Sequence, residues 1–230
     1  NTMTNSTIFE ACYVDPHTAN ITFPEKKRNL IYIYLESMEN TFASFDVGGT
    51  QSSNLIPGLT KLAQENISFS NTNLMGGALP MPGTTWTMGG LAAQTSGLPL
   101  KSSLGANSYG LEGDFLPGAW ALGDILNEQG YNQMLLLGSN AIFGGRLAYF
   151  TQHGGYSIWD YFTALDTGTI PEGYYVWWGY EDMILYRAAK DRLLELASQG
   201  APFNFTMLTA DTHTDDGYVC ELCRNDYPDQ

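Results

Sequence analysis

Residues 29–42 read Asn-Leu-Ile-Tyr-Ile-Tyr-Leu-Glu-Ser-Met-Glu-Asn-Thr-Phe and contain an unbroken apolar run that stops at an acid, Glu36. The run from Leu30 to Leu35 predicts a strand buried on both faces, as in a parallel sheet that is covered by helices. Ligands of open α/β sheets bind at the carboxyl ends of such strands. Glu36 is therefore the first candidate functional residue, and the alternative interpretation is an acid that caps the next helix.

Helices and strands alternate along the rest of the chain. Apolar spacing and terminal glycines predict helices over residues 54–65, 87–95, 119–129 and 181–198. The composition of residues 67–69, 131–137 and 203–209 predicts further strands. This order indicates the α/β class, with a mostly parallel sheet and helices on both faces. Residues 1–28 are polar and irregular, and we interpret them as a lead-in arm.

Composition narrows the classes of partner. The 230 residues are enough for a sizeable core, and the net charge of −14 is strongly acidic. Nucleic acid is not expected as a partner, because phosphate backbones bind to basic surfaces. The ten basic residues could still serve a small anionic substrate locally. The chain lacks a run of eighteen apolar residues, so no segment of it is predicted to span a bilayer.

The chain has three cysteines, Cys12, Cys220 and Cys223. The last two form a single C-x-x-C motif, which is weak support for zinc because a structural zinc ion takes four ligands. A disulfide between Cys12 and one of the later cysteines is the alternative in an oxidising compartment. The sequence leaves the pairing open.

Three segments are expected to meet at one edge of the sheet. Two predicted strands place Glu36, and then Asp211 with His213, at their carboxyl ends. A Gly-rich loop before the helix at 87–95 supplies the hydroxyls of Thr84, Thr85 and Thr87. A hydroxyl at a helix N-terminus lies beside unpaired backbone N–H groups, and this suits a phosphate or sulfate ester. A carboxylate nearby could hold a divalent cation that activates the hydroxyl, whereas the simpler interpretation is a threonine helix cap.

Three motifs together resemble one family. Residues 29–39 are similar to the opening strand of the lipoteichoic acid synthase and phosphoglycerol transferase family, within the alkaline phosphatase/sulfatase superfamily. Gly83-Thr-Thr-Trp-Thr87 resembles its G-x-G-x-T nucleophile segment, and residues 208–217 resemble its L-T-x-D-T-H-x-x-D-G stretch. The resemblance implies an alkaline-phosphatase/sulfatase-like fold that is incomplete at the C-terminus. Residues 29–230 would then be the N-terminal portion of the catalytic domain.

The resemblance also implies roles for individual residues. Glu36 and Thr87 match metal ligands, and Thr87 also matches the nucleophile. Arg146 and His213 match residues that bind the substrate. Without the resemblance, a surface charge at Arg146 and a loop histidine at His213 would be the simpler interpretations. The middle glycine of the nucleophile motif is Thr85 in this chain, so Thr85 remains a rival nucleophile.

The activity that the resemblance implies is a metal-dependent transfer of phosphoglycerol. The donor would be phosphatidylglycerol and the acceptor a glycolipid or glucan, and the reaction would pass through a phospho-threonine intermediate. The implied cofactor is a divalent metal, with Mn²⁺ favoured over Mg²⁺ and Zn²⁺. The implied location is the extracellular or periplasmic face of the bacterial cytoplasmic membrane, where transmembrane helices absent from this chain would tether the enzyme. Because family members supply further ligands after the matched region, we expect residues 1–230 alone to bind metal weakly and to have little activity.

Other functions stay open at this stage. Phosphoethanolamine transferases use the same type of nucleophile. A sulfatase-like hydrolase is less favoured, because sulfatases have a cysteine or serine where Thr87 stands. A catalytically silent module that binds phosphorylated glycans or lipid headgroups is the alternative from a different class. The aromatic stretch Tyr174–Tyr180 would suit sugar stacking in such a module, although it could equally belong to the core.

Overall fold

The computed structural model describes residue 7 and residues 11–100, 113–213 and 217–226. Within them, four parallel strands form one sheet in the order β1-β4-β2-β3. The strands are β1 (Leu30–Tyr34), β2 (Asn132–Leu137), β3 (Ser157–Trp159) and β4 (Phe203–Leu208). The parallel pairing confirms the predicted α/β class and three of the predicted strands. The three-residue strand β3 was not predicted, because it is too short to show a periodic pattern.

Seven α-helices accompany the sheet in the described residues. They are α1 (Pro57–Glu65), α2 (Thr87–Ser96), α3 (Leu122–Glu128), α4 (Arg146–Gln152), α5 (Tyr161–Asp166), α6 (Asp182–Ser198) and α7 (Glu221–Asp226). Short 3₁₀ turns cover Pro16–Thr18, Asn40–Phe42, Phe45–Val47 and Phe143–Gly145. None of the helices in this part of the chain is long and apolar enough to cross a membrane.

The predicted helices lie where the sequence indicates, with two shifted starts. Helix α1 begins at Pro57, whose ring fixes φ at a helical value and lacks the N–H that a first turn leaves unpaired. Helix α3 begins late because the Asp124 carboxylate accepts a hydrogen bond from the N–H of Ala121 and caps the helix there. Gly130, with φ of 76°, ends the turn after α3 as predicted. Helices α4, α5 and α7 were not predicted.

Each face of the sheet packs against helices and forms its own core. Residues of α2 and α4 pack on one face against Leu135, Leu137 and Leu208. Residues of α6 pack on the opposite face against Leu136, Phe205 and Met207. The predicted arrangement of helices on both faces is therefore confirmed. Trp86, just before α2, packs against the first core, so this part of the Gly-rich segment is built into the fold.

The prediction that β1 is buried on both faces is wrong. The side chains of Ile31 and Ile33 are 51% and 43% exposed. They pair in register with Phe205 and Met207 and therefore lie on the α6 side of the sheet. Helix α6 packs mainly on β2 and β4, and β1 lies beyond them at the edge of the described sheet. Apolar side chains of a strand are buried only where another helix or strand covers them, and the sequence pattern does not show where that happens.

The predicted strand at residues 67–69 is also wrong. This segment is irregular, and both Ile67 and Phe69 are exposed. Its alternating pattern suits a strand, but no strand of the described residues pairs with it. Residues 101–112, and Asp216 of the third motif, lie outside the described residues.

The described part of the lead-in arm rests on the domain. The ammonium of Lys27 donates a hydrogen bond to the carbonyl oxygen of Gln129 at 2.6 Å. The Tyr131 hydroxyl donates one to the carbonyl oxygen of Arg28 at 2.8 Å. The imidazole of His17 stacks on the Trp120 indole with ring centroids 4.3 Å apart. The division between arm and domain at residue 28 remains a prediction.

Close backbone packing at Gly89 fixes the start of α2. A Cβ at Gly89 would lie 2.6 Å from the carbonyl oxygen of Gly83 and 2.6 Å from Nε1 of Trp86. A Cβ on the next residue, Gly90, would meet only the carbonyl oxygen of Thr84 at 3.6 Å, an ordinary contact. The turn before α2 can therefore pack this closely against the helix only because residue 89 is a glycine.

We predict that Gly89→Ala lowers the free energy of unfolding by about 1–3 kcal/mol, because the added methyl group overpacks the turn. The matched variant Gly90→Ala in the same helix should be neutral or up to ~1 kcal/mol stabilising, since alanine is the better helix former. Urea denaturation of both variants measures the difference. Equal effects of the two substitutions would contradict the close approach at Gly89.

Candidate functional site

A small pocket lies at the carboxyl ends of β1, β2 and β4. Its lining includes all four residues predicted as site residues from the sequence: Glu36, Thr87, Arg146 and His213. The remaining lining residues are Ser139, Phe143, Trp178, Leu208, Thr209 and Ala210. The structure therefore gathers residues from four distant parts of the chain at the sheet edge where ligands of α/β proteins bind.

Hydrogen bonds between the ends of β1 and β4 hold Glu36 in place. The N–H of Glu36 donates to Oγ1 of Thr209 at 3.0 Å, and the N–H of Thr209 donates to the carbonyl oxygen of Tyr34 at 3.0 Å. The Thr212 hydroxyl donates to the carbonyl oxygen of Glu36. The N-cap position of the next helical turn is Glu39, so the alternative that Glu36 caps that turn is wrong. Glu36 lines the pocket, and its Oε1 accepts a hydrogen bond from the Ser37 hydroxyl at 3.3 Å.

Thr87 is the first residue of α2, and its position distinguishes it from the two threonines before it. The Thr84 hydroxyl is engaged in a turn, where it donates to the carbonyl oxygen of Met81 at 2.8 Å. Thr85 is exposed and does not line the pocket, whereas Thr87 does. The N–H groups of the first turn of α2 lie beside the Thr87 hydroxyl, as a bound anion would require. Of the rival threonines Thr85 and Thr87, it is Thr87 that lies at the pocket.

The side chain of Arg146 is buried, with 6% of its surface exposed. Its Nη2 donates to the carbonyl oxygen of Asn140 at 2.7 Å, while Nε has no hydrogen-bond partner among the described residues. Burial lowers the pKa of the guanidinium to about 10, and the negative charges of Glu36 and Asp160 oppose that shift. The simpler interpretation of Arg146 as a surface charge is wrong.

The turn before Arg146 depends on glycine. Gly144 and Gly145 have φ values of 69° and 79°, a region that residues with a Cβ rarely adopt. This turn carries the chain into α4 with Arg146 at its first position. No carboxylate in the described ranges lies within ion-pair distance of the guanidinium. A buried cation without an ion-pair partner favours the binding of an anion such as phosphate, which also matches its planar donors.

His213 and two aromatic rings form one side of the pocket. The imidazole of His213 lies against the Trp178 indole with ring centroids 4.8 Å apart, and Phe143 lies 5.6 Å from Trp178. The N–H of His213 donates to the carbonyl oxygen of Ala210, which holds the loop after β4 in a turn. The sequence marked Trp178 only as part of an aromatic stretch. Tyr180, from the same stretch, is buried in the core.

Asp182 supports the loop after β4, and sequence analysis did not identify it. Its two carboxylate oxygens accept hydrogen bonds from the N–H groups of Ala210 and Asp211 at 2.8 and 3.1 Å. Burial, together with the negative charge of Asp182, raises the pKa of Asp211 to about 7. Asp211 does not line the pocket, and its Oδ1 is buried without a hydrogen-bond partner in the described structure. Its nearness to Asp182 therefore destabilises the charged form of Asp211.

The donor chemistry of Glu36 and Thr87 fits a hard divalent cation such as Mn²⁺ or Mg²⁺, since both side chains offer oxygen. They are fewer than the roughly six ligands that such a cation takes. Among the residues that the structure describes, no group of three or more His, Cys, Asp or Glu side chains is placed to hold a metal ion. Glu36 and Thr87 alone are therefore too few to complete a cation site.

The raised pKa of Asp211 makes stability depend on pH. A carboxyl whose folded pKa lies above its unfolded value contributes stability at low pH, and this contribution is lost as the pH rises from 3.8 to about 7. We predict that Asp211→Asn increases the melting temperature relative to the unmodified chain more at pH 8 than at pH 4. Asp191→Asn, an exposed position on α6, is the control. If the difference in melting temperature between Asp211→Asn and the unmodified chain did not change with pH, the raised pKa of Asp211 would be contradicted.

Comparisons with known proteins agree with this geometry. A sequence profile described as Sulfatase matches residues 28–230. Phosphoglycerol transferase I from Xanthomonas campestris pv. campestris is 35% identical over 202 residues, which cover 87% of this chain and 27% of that protein. Phosphoglycerol transferase I from Escherichia coli O6:K15:H31 is 32% identical over 215 residues, which cover 94% of this chain and 26% of that protein. The chain thus spans about a quarter of the length of these curated relatives.

Solved structures share the fold. A protein in the alkaline phosphatase superfamily from Vibrio parahaemolyticus matches with a TM-score of 0.60 and 25% identity, over 86% of this chain and 45% of that one. The lipoteichoic acid synthase LtaP from Listeria monocytogenes matches with a TM-score of 0.58 and 16% identity, over 86% of this chain and 46% of that one. These matches confirm the superfamily that the sequence motifs resemble. The chain belongs to the sulfatase family and has the fold of the alkaline phosphatase superfamily.

Proposed function

We propose that this chain carries the nucleophile and the phosphate-binding arginine of a phosphoglycerol transferase. The observation that carries the proposal is the placement of the buried Arg146 guanidinium in one pocket with the Thr87 hydroxyl and the Glu36 carboxylate. Relatives named phosphoglycerol transferase I, about one-third identical over most of the chain, support the reaction class. The proposed donor is phosphatidylglycerol, and the proposed acceptor is a glycolipid or glucan.

In the first step, the donor phosphate binds to the Arg146 guanidinium and the N–H groups at the start of α2. The Thr87 oxygen forms a bond to phosphorus, and the bond from phosphorus to the diacylglycerol oxygen breaks. The proton of the Thr87 hydroxyl ends on the released diacylglycerol. Arg146 stabilises the charge that develops on the phosphoryl oxygens, and a buried cation does so more effectively than an exposed one.

In the second step, the acceptor hydroxyl forms a bond to phosphorus, and the bond between phosphorus and the Thr87 oxygen breaks. The acceptor proton returns to Thr87, and the threonine is restored. His213 contacts the phosphoglycerol group, with its ring held against Trp178. The indole of Trp178 is partly exposed and offers a stacking surface to the sugar of an acceptor.

We further propose that Glu36 and Thr87 are the ligands from this chain to a divalent metal, with Mn²⁺ as the first candidate. When bound, such a cation lowers the pKa of a coordinated hydroxyl and favours its nucleophilic form. We also propose that the enzyme acts at the outer face of the bacterial cytoplasmic membrane, since the proposed donor is a membrane lipid.

Intact-protein mass spectrometry tests this proposal. The full product of the gene that encodes this chain is incubated with Mn²⁺ and phosphatidylglycerol, and the mass added to the protein is measured. We expect one phosphoglycerol group on Thr87, identified by peptide mapping, and no adduct in Thr87→Ala. Arg146→Lys should lower the rate of adduct formation about 10²-fold, because it keeps the charge but loses the planar donors.

Thr85→Ala is the matched control, because it removes the neighbouring hydroxyl and should leave the adduct in place. An adduct that persists in Thr87→Ala and disappears in Thr85→Ala would overturn the assignment of the nucleophile. A phosphoethanolamine adduct, formed only with phosphatidylethanolamine, would change the donor class. Binding of the lipid headgroup without any adduct would indicate a catalytically silent module.

A further inference from the structure

Two thiols lie in contact on the segment that follows the proposed site. The sulfur of Cys220 lies 3.3 Å from the sulfur of Cys223. Cys220 directly precedes α7, and the N–H of Arg224 donates to the carbonyl oxygen of Cys220 at 3.0 Å, so the turn that joins the two cysteines is closed. Cys220 is buried and Cys223 is exposed. The Cys223 thiol is thus accessible to reagents in solution, and the Cys220 thiol is placed to react with the Cys223 sulfur.

The surroundings argue against the other uses of a C-x-x-C motif. A structural zinc ion takes four ligands. The described residues place no third His, Cys, Asp or Glu side chain with this pair in a group that could hold a metal. The third cysteine, Cys12, is exposed on the lead-in arm, and the structure contains no bond between it and the later cysteines. The contact therefore favours a pairing of Cys220 with Cys223 over a pairing of either cysteine with Cys12.

We propose that Cys220 and Cys223 form a redox-active dithiol that closes to an intramolecular disulfide, with a small-molecule disulfide such as oxidised glutathione as the oxidant. The exposed Cys223 attacks one glutathione sulfur as the thiolate, and one glutathione thiolate leaves. Cys220 then attacks the Cys223 sulfur of the mixed disulfide, and the second glutathione thiolate leaves. The two cysteines lose two electrons and two protons, and one glutathione disulfide becomes two glutathione thiols.

The disulfide would lie close to the loop that supplies His213. The N–H of Tyr218 donates to the carbonyl oxygen of Asp211 at 2.7 Å, which ties the segment before α7 back to the end of β4. The bridge between Cys220 and Cys223 would fix the chain immediately after this hydrogen bond.

Thiol counting with N-ethylmaleimide tests the dithiol. The Cys12→Ser variant is the form to use, because its remaining cysteines are Cys220 and Cys223 and neither is altered. After reduction, we expect both thiols to react with maleimide. After equilibration with oxidised glutathione, we expect neither to react, a mass lower by two hydrogens than that of the reduced chain, and no glutathione retained. Treatment with a reductant should restore both reactive thiols.

The double variant Cys12→Ser, Cys223→Ser is the control. It should keep Cys220 as a thiol or a glutathione mixed disulfide, and it should not lose hydrogens. Three results would overturn the proposal: two maleimide adducts after oxidation, two retained glutathione groups, or stoichiometric zinc that stays with the reduced pair through dialysis. In the unmodified chain, peptide mapping that finds Cys12 bridged to a later cysteine would also overturn it.

Discussion

The hydrogen bonds that join the ends of β1 and β4 determine where the candidate site lies. Glu36 donates its N–H to the Thr209 side chain, and Thr209 donates its own N–H to Tyr34. These contacts continue the parallel pairing of the two strands beyond the sheet, so the first acid after β1 and the loop after β4 share one edge. His213 reaches the pocket because this loop turns back within a few residues, with Asp182 holding its backbone.

The pocket contains a buried cation although the chain is acidic overall. The chain has a formal net charge of −14, yet the pocket contains a buried guanidinium without an ion-pair partner in the described residues. Desolvation of Arg146 destabilises its charged form, and an anion in the pocket would reverse that effect. A phosphate ester therefore suits the pocket for a local reason, even though the chain as a whole is acidic.

The sequence predicted which residues meet at the pocket better than it predicted the surroundings of the pocket. Glu36 and Thr87 were identifiable because each directly follows or begins a regular element, and such positions meet at the edge of a parallel sheet. The apolar pattern failed at Ile31 and at residues 67–69, because periodicity does not report which neighbour covers a side chain. Asp182 and Trp178 could not be assigned from sequence. Their roles depend on contacts with Ala210, Asp211 and His213, which only the fold brings within reach.

Binding of an anion by Arg146 is the central claim, and isothermal titration calorimetry with sn-glycerol 1-phosphate tests it most directly. The unmodified chain is compared with Arg146→Lys and with Arg187→Lys, an exposed position on α6, after circular dichroism has shown that all three are folded. We predict that Arg146→Lys weakens binding by on the order of tenfold or more, because hydrogen bonds to charged groups contribute about 1.5–3 kcal/mol. Arg187→Lys should have no effect. Equal affinities for all three proteins would contradict the account.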